Sequence, residues 1–404
     1  MTDVTEDYLA DESLHGVMRG LALPPALRAQ YGHRLVDRPF FLDRVTADAV
    51  AADVRAFFEL LYSLPGRMFG GSVPRFARAL GIPPEEAELM GDDRPPVYGR
   101  ADLYRVGDGF RLLEINAGAQ LGGHDLGEIA RVLNDDPTLA PFVRRHGLRH
   151  VNPVEKLIEA VGSDGTIAFL EEGGMLEKFG RGFASLRESF ARLGVEVLLG
   201  ELEDVTERNG YLHLRGTRLD KVIRYFSARQ AVDYDVLRKA TGTFLFTPFS
   251  SYLYGNKSTL ALLSEHRETL TAGEGELVDR LLPWTRYLDR VPRDHVRENR
   301  ADLILKAAGE FAGTGVHAGW LHDDREWARL LDEVAGQPYV VQERVRPVLD
   351  VVPGDDRPWL TCWGWFVSET GFAGMSIRAM PQEDGAVVSY AGNPLTHVSG
   401  LLVH

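Results

Sequence analysis

The sequence predicts an α/β protein of the α+β kind, with two or three subdomains around a cleft. A hydrophobic fraction of 44% and a charged fraction of 26% are typical of a globular chain. Helical and strand-like patterns alternate from about residue 156 to 250, which indicates a small α/β unit. The part from residue 359 onward reads as antiparallel strands. At 404 residues the chain exceeds the usual size of a single core, so several subdomains are expected.

The predicted elements follow in chain order. The region to about residue 95 is mostly helical, and its clearest helix starts near Thr46 or Asp48 and ends before Leu64-Pro65-Gly66. The α/β unit contains helix VEKLIEAV, strand TIAFLEE, helix SLRESFARLG, strand VEVLLGEL, a short paired stretch and strand KVIRYFS. From residue 251 come a helix around Lys257, a long linker helix, strand DLILK, a glycine-rich loop, helix DREWARLLDEV and strand YVVQERV. Antiparallel strands from WLTCWGWFV complete the chain.

Charge and cysteine content argue against several classes of protein. A net charge of −14, from 59 acidic and 45 basic residues, would repel a phosphate backbone or an anionic membrane, so neither is expected as a partner. The acidic N-terminal stretch is unlike a signal peptide, and no apolar run approaches the ~20 residues of a membrane span. The single Cys362 excludes an internal disulfide and a thiolate zinc cluster. We therefore expect a cytoplasmic protein, while its oligomeric state is not predicted.

The segment YGRADLYRVGDGFRLLEINAG contains two alternating runs around the Gly107–Gly109 turn and predicts a β-hairpin. A three-residue loop would pair Asp102 with Glu114 and Arg100 with Asn116. Because side chains alternate across a strand, these four side chains would share one face. A two-residue loop would break this arrangement.

The pairing of Asp102 with Glu114 requires a reason, because like charges directly opposite one another destabilise a strand pair. A bound cation is one explanation. Carboxylates and the amide oxygen of Asn116 are hard ligands that Mg²⁺ accepts, with water and nucleotide phosphates completing its shell. A solvent-facing side of a sheet with a satisfied Arg–carboxylate pair is the other explanation, and the spacing alone supports both equally.

The stretches Arg100-x-Asp102 and Glu114-Ile115-Asn116 resemble the metal-binding segment of circularly permuted ATP-grasp ligases, the superfamily that includes the glutathionylspermidine synthetases. The resemblance implies an ATP-grasp fold in circularly permuted order. It also implies that Asp102, Glu114 and Asn116 bind Mg²⁺, and that Arg100 faces the reacting phosphate and carboxylate.

A second segment, TPFSSYLYGNKSTLALLSEH, places Asn256-Lys257 at the start of an apolar helix. It resembles the Asn-Lys segment of the same superfamily, and this implies that Lys257 contacts ATP phosphates. A P-loop NTPase is disfavoured, because Asn256 occupies the position where a Walker A motif has glycine. An exposed surface lysine is the alternative interpretation.

A third segment, LILKAAGEFAGTGVHAG, runs from a short strand ending in Lys306 into a glycine-rich loop. Glycines let backbone N–H groups approach phosphate oxygens, and a lysine adds a point charge. Gly313-x-Gly315-x-x-Ala318 also fits a loose dinucleotide-binding pattern, but the fewer than ~100 residues that follow are too few for the rest of that fold. The resemblance instead makes this the phosphate-covering loop, with Lys306, Gly313 and Gly315 at the nucleotide.

Two later segments resemble further parts of the superfamily. YVVQERV is similar to the hinge strand of ATP-grasp proteins, which implies adenine recognition around Gln342, Glu343 and Val345. A charged edge strand is the alternative. In GFAGMSIRAMPQEDGAVVSYAG, Arg378 matches an arginine that faces the active site, and its planar donor fork suits a phosphate or an acyl phosphate. A surface arginine is the alternative.

The order of the motifs is the permuted one, since Glu114-x-Asn116 precedes both Lys257 and Lys306. No cysteine precedes the ligase part, so the amidase domain of bifunctional glutathionylspermidine enzymes is not expected. The predicted domains are 1–155 with the N-terminal helices and metal hairpin, 156–250 as a small Rossmann-like unit, 251–345 as the nucleotide-binding part, and 346–404 with the strands that complete the ATP-grasp fold. ATP is expected between the nucleotide-binding and metal-bearing parts.

The resemblance implies an ATP- and Mg²⁺-dependent ligase that joins a small-molecule carboxylate to an amine through an acyl phosphate, releasing ADP and phosphate. Amino acids or short peptides lead as substrates, γ-glutamyl transfer included. An ATP-dependent small-molecule kinase and a non-catalytic binding protein remain alternatives. We expect Asp102→Ala and Glu114→Ala to abolish turnover while the fold survives. His124 either faces a substrate or bonds to nearby backbone, and Cys362 is predicted to be a small core residue.

Overall fold

The computed structural model describes residues 3–91, 93–118, 121–231, 235–310 and 313–404, and it is a mixed helix-and-sheet structure, as predicted. The helices are α1 (Asp3–Ala10), α2 (Val17–Gly20), α3 (Pro25–Tyr31), α4 (Arg44–Phe69), α5 (Val73–Ala79), α6 (Pro84–Leu89), α7 (Gly127–Asp135), α8 (Ala140–His146), α9 (Pro153–Val161), α10 (Met175–Lys178), α11 (Gly180–Arg192), α12 (Ala228–Ala231), α13 (Asp235–Lys239), α14 (Ser251–Gly255), α15 (Lys257–Glu265), α16 (Ala272–Leu281), α17 (Arg293–Glu298) and α18 (Asp324–Glu333).

The strands are β1 (Phe40–Leu42), β2 (Tyr98–Val106), β3 (Gly109–Ala117), β4 (Ile167–Glu171), β5 (Val197–Glu201), β6 (Val205–Arg208), β7 (Tyr211–Leu214), β8 (Thr217–Arg218), β9 (Lys221–Arg224), β10 (Phe244–Phe246), β11 (Thr285–Tyr287), β12 (Leu303–Ala307), β13 (Val316–Ala318), β14 (Tyr339–Glu343), β15 (Asp350–Val352), β16 (Asp355–Ser368), β17 (Gly371–Pro381), β18 (His397–Ser399) and β19 (Leu401–Val403).

The largest sheet joins two distant parts of the chain. Its strands lie in the antiparallel order β18-β17-β16-β2-β3, and β15 pairs with β16. One face is apolar and packs on helix α4, where the indole of Trp365 donates to the Ala47 carbonyl at 3.3 Å. Since side chains alternate along each strand, the polar residues of β2, β3 and β17 stand on the opposite face.

The hairpin β2–β3 reaches the predicted register by a different turn. Val106 pairs with Gly109, so the loop contains two residues and not three. A β-bulge at Leu113 then inserts one extra residue into β3 and restores the pairing of Asp102 with Glu114. The prediction of a three-residue loop was wrong, as was the expectation that a shorter loop would break the arrangement, because the bulge compensates for the missing loop residue.

The α/β unit contains a parallel sheet in the order β10-β9-β4-β5. Helices α9 and α11 pack on it around Leu157, Phe169 and Phe190, which are fully buried. The predicted strands TIAFLEE, VEVLLGEL and KVIRYFS correspond to β4, β5 and β9, and the short paired stretch is the small sheet β6-β7-β8. Parallel alignment places the carboxyl ends of β4 and β9 side by side.

A third sheet, with the antiparallel order β11-β14-β12-β13, lies next to helix α15. Helix α15 begins at Lys257, where the side chain of Asn256 accepts a hydrogen bond from the Ser258 N–H at 2.9 Å. Helix α18 covers the other side of the sheet with the buried Trp327. The predicted long linker helix does not form, because this stretch is divided between α16, a short strand and α17.

Two further expectations about elements were wrong. Helix α4 does not stop before Pro65 but continues to Phe69, and Gly70 then ends it with a left-handed backbone, φ +59°. Pro65 is buried among the apolar residues of α4, and this packing offsets the lost backbone hydrogen bond. At the end of the chain, β19 pairs in parallel with β1, so the C-terminal strands are not all antiparallel.

No helix within the described ranges is long and apolar enough to cross a bilayer. The domain boundaries at residues 155, 250 and 345 remain predictions.

Candidate active site

A cavity of ≈ 700 Å³ is lined by residues of the three larger sheets. It brings together the predicted site residues Arg100, Asp102, Glu114, Asn116, Lys306, Gly313, Gln342, Glu343, Val345 and Arg378. Lys257 and Gly315 lie outside the lining, although Lys257 contacts one of its members, as described below.

The lining falls into two groups according to the elements that supply it. We call the first group the lysine half, which comes from β3, β12 and the end of β14 and includes Glu114, Lys306, Gln342 and Val345. We call the second group the acidic half, which comes from the loop before α7, from α11 and from the carboxyl ends of β4 and β9, and includes Asp125, Glu171, Phe183 and Tyr225.

Asp102 on β2 is buried and held by two arginines. Arg100 donates to both of its carboxylate oxygens, from Nε at 2.6 Å and from Nη2 at 3.0 Å, and Arg378 Nη2 lies 2.6 Å from Oδ1. Asn116 also donates to Oδ2, at 3.3 Å. Burial by itself would raise the pKa of Asp102, but Arg100 and Arg378 outweigh it and hold that pKa well below its ordinary value. Asp102 is therefore ionised and organises both arginines.

The predicted repulsion between Asp102 and Glu114 is resolved by cations of the protein itself. Lys257 Nζ lies 3.8 Å from Glu114 Oε2, while Asp102 faces its two arginines. Removal of Asp102 would leave two buried arginines without their carboxylate, so Asp102 stabilises this part of the fold. Arg378 is likewise no surface residue, being only 9% exposed.

Glu114 and Asn116 offer oxygen donors to a divalent cation. The Glu114 side chain is 34% exposed, and both residues line the cavity. Asn116 gives its amide nitrogen to Asp102, so its carbonyl oxygen is left for another partner. A carboxylate and an amide oxygen suit Mg²⁺, which keeps several waters and completes its shell with substrate phosphates. No cluster of three or more His, Cys, Asp or Glu side chains forms a metal site in the parts of the chain that are described.

Lys306 on β12 is buried at the centre of the lysine half. Its Nζ donates to the carbonyl of Leu113 at 2.9 Å and to Gln342 Oε1 at 2.7 Å, and Gln342 Nε2 in turn donates to Thr285 at 3.0 Å. Leu113 is the bulged residue of the hairpin, so the same irregularity that restores the register also anchors the lysine. Burial lowers the pKa of Lys306 to about 8, although the charge of Glu114 acts in the opposite direction.

The glycine-rich segment lies between β12 and β13, and Phe311 and Ala312 fall outside the described residues. Gly313 and Gly315 both have positive φ, at +85° and +65°. A Cβ on Gly313 would come within 2.5 Å of Val387, another residue of the lining, so a larger residue does not fit. Lys257 reaches this segment too, because its Nζ donates to the Glu310 carbonyl at 2.6 Å.

In the segment predicted to recognise adenine, one backbone group already makes a hydrogen bond within the protein. The backbone N–H of Glu343 donates to the Trp284 carbonyl at 2.8 Å, so this group is used inside the protein. Val345 follows the end of β14 and lines the cavity together with Arg344, whose guanidinium stacks on Trp320 at 4.1 Å. Recognition of a base would therefore depend on Val345 and neighbouring groups, and not on the amide of Glu343.

Sequence reasoning missed Glu171, Tyr225 and Asp125 in the acidic half. Burial raises the pKa of Glu171 to about 7 and that of Asp125 to about 6. One signal could have found the first two: Glu171 ends β4 and Tyr225 follows β9, and open parallel sheets bind ligands at the carboxyl ends of their strands. Asp125 carried no comparable signal.

His124 and Cys362 are both buried and line the cavity. The His124 ring stacks on Tyr98, and burial together with the charge of Arg100 lowers its pKa to about 3, so the imidazole is neutral. Cys362 is a small residue of strand β16, as predicted, and its Sγ accepts a hydrogen bond from Arg378 at 3.3 Å.

Comparisons with known proteins bear on the fold. No protein-family model and no curated protein matches the sequence. The structure is similar to the apo form of a glutathione synthetase-like effector (GSS30) from Globodera pallida, with a TM-score of 0.58 and 12% identity over 100% of this chain and 98% of that one. It is also similar to a putative γ-glutamylcysteine synthetase from Methylobacillus flagellatus KT, with a TM-score of 0.49 and 13% identity over 90% and 89%. A RimK domain ATP-grasp protein from Sphaerobacter thermophilus matches with a TM-score of 0.30 and 14% identity over 58% and 90%.

The structure has the ATP-grasp fold, as the motifs predict. The end-to-end likeness to the glutathione synthetase-like effector is a likeness of fold. The circularly permuted order of the segments remains a prediction.

Proposed function

We propose that this protein is an ATP- and Mg²⁺-dependent ligase that joins a small-molecule carboxylate to an amine and releases ADP and phosphate. The observation that supports this most is that one cavity is lined by Lys306, Glu114, Arg100 and Arg378, which come from four strands of two sheets. This set combines cations for phosphates, an oxygen ligand for a metal, and paired guanidinium groups for a second anion. The ATP-grasp ligase fold supports the same class of reaction.

The lysine half would bind the nucleotide. Lys306 and Lys257 would neutralise the phosphates, and the positive-φ glycines Gly313 and Gly315 would let backbone N–H groups approach them. Glu114 and Asn116 would hold Mg²⁺, which when bound neutralises phosphate charge and fixes the orientation of the transferred group. Asp102 would serve in positioning both arginines, since its oxygens already accept from them.

Arg100 and Arg378 would bind the substrate carboxylate next to the γ-phosphate. A carboxylate oxygen would attack the γ-phosphorus in line, the bond to the β-phosphate oxygen would break, and ADP would leave. The amine would then attack the acyl carbon, form the amide and lose a proton as phosphate leaves. The two guanidinium groups would stabilise the negative charge on the phosphate oxygens in both steps.

The test is to identify nucleotide and phosphate products by chromatography, using ATP, Mg²⁺ and a panel of carboxylates and amines supplied singly and in pairs. ADP and free phosphate should appear only when both substrates are present. Glu114→Gln and Lys306→Met should each lower this rate at least about 100-fold. Lys239→Met, an exposed lysine of α13, is the matched control and should leave the rate unchanged.

Other outcomes would contradict the proposal in distinct ways. Substrate-dependent AMP without ADP would overturn both the acyl phosphate and the roles of the lysine half. A product that keeps the phosphate would indicate a kinase. Calorimetric binding of ATP without turnover on any pair would indicate a binding protein.

A further inference from the structure

The acidic half of the cavity contains a carboxylate that the phosphate chemistry does not use. Glu171 is 8% exposed and lines the cavity. Within the described residues it accepts a single hydrogen bond, from the Glu172 N–H to Oε2 at 3.3 Å. Because a carboxylate offers about four acceptor positions, Glu171 has capacity for a ligand.

A second carboxylate, Asp125, lines the same cavity. Tyr31 donates to Asp125 Oδ1 at 3.0 Å, and Asp125 is 3% exposed. Tyr225 lines the same cavity, and its hydroxyl donates to the Leu121 carbonyl at 3.4 Å. Burial, and then the charges of Asp125 and Glu171, raise the pKa of Tyr225. The two acids and the tyrosine therefore line one chamber.

Cations that could bind a further carboxylate are committed elsewhere. The Lys and Arg side chains of the described lining are Lys306 and Arg344 in the lysine half, and Arg100 and Arg378 on Asp102. Arg224 lies near Glu171 but donates to the carbonyls of Phe226, Thr247 and Pro248. A ligand carboxylate in this chamber would meet two acids, while Arg224 near Glu171 and Arg100 near His124 direct their donors to groups of the protein itself.

Buried groups with unused hydrogen-bonding capacity indicate that the chamber is built for a polar ligand. His124 and Ser376 are both 1% exposed and line the cavity. Among the described residues the Ser376 hydroxyl has no hydrogen-bond partner, whereas the His124 ring has a weak one in the backbone of Leu121, as the backbone alternative for this histidine predicts. Buried polar groups in native proteins are normally satisfied, so a bound ligand would complete these contacts.

The remaining wall is apolar. Phe183 and Leu186 of α11 line the chamber, and the Phe183 ring lies 5.1 Å from that of Tyr225. Phe179, at the start of the same helix, is 45% exposed and also lines the cavity. An aromatic or alkyl body would bury its surface here, while a cationic head group would meet the acids.

We propose that the acidic half binds a primary amine that carries no carboxylate beside its amino group, with the ammonium group at Glu171 and Asp125 and an apolar or aromatic body against Phe183 and Leu186. The identification of this amine as the acceptor rests on the proposed ligase activity. The binding of the amine in the acidic half does not depend on that activity.

The test compares three ligands of the same body by calorimetry, with and without a non-hydrolysable ATP analogue and Mg²⁺. Phenethylamine has the ammonium group alone, phenylalanine has both charges, and 3-phenylpropionate has the carboxylate alone. Phenethylamine should bind at least about tenfold more tightly than either of the others. Equal or tighter binding of phenylalanine or 3-phenylpropionate, or no binding of phenethylamine, would overturn the inference.

Two isosteric variants locate the binding. Glu171→Gln should weaken phenethylamine about tenfold, because it removes the charge and keeps the shape. Glu177→Gln, which changes an exposed acid of α10 outside the cavity lining, should leave the affinity unchanged. Equal affinity in wild type and Glu171→Gln would place the amine elsewhere.

Product analysis separates this inference from the proposed function. ADP formation with phenylalanine as acceptor, and none with phenethylamine, would contradict the inference about the amine but would still support the proposed ligase activity. Tight binding of phenethylamine without ADP formation on any carboxylate would support the inference about the amine and contradict the proposed ligase activity.

Discussion

The two halves of the cavity differ in how their charges are satisfied. In the lysine half and on the adjoining sheet face, the central ammonium and carboxylate already have partners: Lys306 donates to Leu113 and Gln342, and Asp102 accepts from two arginines. In the acidic half, Glu171 accepts one backbone hydrogen bond and His124 lacks a partner of good geometry among the described residues. The first region is organised before a ligand arrives, whereas the second has polar groups that a ligand would satisfy.

The difference follows from the kind of sheet that supplies each half. Arg100, Asp102 and Arg378 stand on one face of a large antiparallel sheet, where neighbouring strands place side chains close enough to pair. Glu171 and Tyr225 stand at the carboxyl ends of parallel strands, where side chains project beyond the sheet into a crevice. Four measurements test this difference between the two halves of the cavity.

The largest expected effect is on stability, from Asp102→Asn. Loss of this charge leaves Arg100 and Arg378 buried without an anion and should lower the free energy of unfolding by about 3–5 kcal/mol. Glu114→Gln, which changes the directly opposite residue, should cost only about 0–1 kcal/mol, because that side chain is partly exposed. Urea unfolding at pH 7 measures both, and similar losses in the two variants would contradict the organising role of Asp102.

The same interaction sets a pH limit. Because the arginines lower the folded pKa of Asp102, its contribution is complete above the unfolded value of about 3.9 and disappears only as the pH falls through the lower folded value. Asp102→Asn should therefore remove part of the acid dependence of unfolding below about pH 4.

A second expected effect is on nucleotide affinity, from Lys306→Met. Loss of a buried cation at the phosphates should weaken ATP binding about 10–100-fold, while phenethylamine affinity stays unchanged. Since burial lowers the pKa of Lys306 to about 8, wild-type affinity for ATP should also fall as the pH rises above that value. Calorimetry at pH 7 and pH 9 tests both points, with Lys239→Met as the control. An equal decrease in Lys306→Met would assign the pH dependence to another group.

A third expected effect concerns the acidic half and runs in the opposite direction with pH. Burial raises the pKa of Glu171 to about 7, with Glu172 and Glu201 acting in the same direction and Arg224 against them. Phenethylamine keeps its charge below about pH 9, as a lysine does, so its affinity should rise about tenfold between pH 6 and pH 8 as Glu171 ionises. Glu171→Gln should lose this dependence, and a flat wild-type profile would show that another acid binds the amine.

The smallest expected effect is at Cys362, whose thiol should not react with an alkylating reagent in the folded protein. The thiol lines the cavity but is 2% exposed, and burial raises its pKa to about 12. Iodoacetamide at pH 8 should leave the folded protein unmodified and should alkylate the urea-unfolded protein, as measured by intact mass. Rapid modification of the folded chain would show that this wall of the cavity opens.

The elements of the α/β unit and the hairpin could be predicted from the sequence because their signals are local. Alternation of apolar and polar residues predicts β2 and β3, short apolar runs predict β4 and β9, and a turn signal predicts the hairpin. Helix α4 was predicted too short, because a proline signal is local whereas the packing that accommodates Pro65 is not. The bulge at Leu113 had no local signal either, since Lys306, which donates to its carbonyl, lies 193 residues away in sequence.

The candidate site likewise has features that local sequence patterns predict and features that depend on tertiary structure. The spacing within each strand places Arg100 with Asp102 and Glu114 with Asn116, because side chains alternate along a strand with a period of two. The two pairs share one face only because the bulge at Leu113 restores the register. The ion pair between Asp102 and Arg378 depends on tertiary structure. Arg378 lies on a strand 276 residues later along the chain, and the order of strands in the sheet sets the position of that strand. Asp125, Glu171 and Tyr225 line one chamber because tertiary packing brings separate strands and loops together. No local sequence pattern predicts that packing.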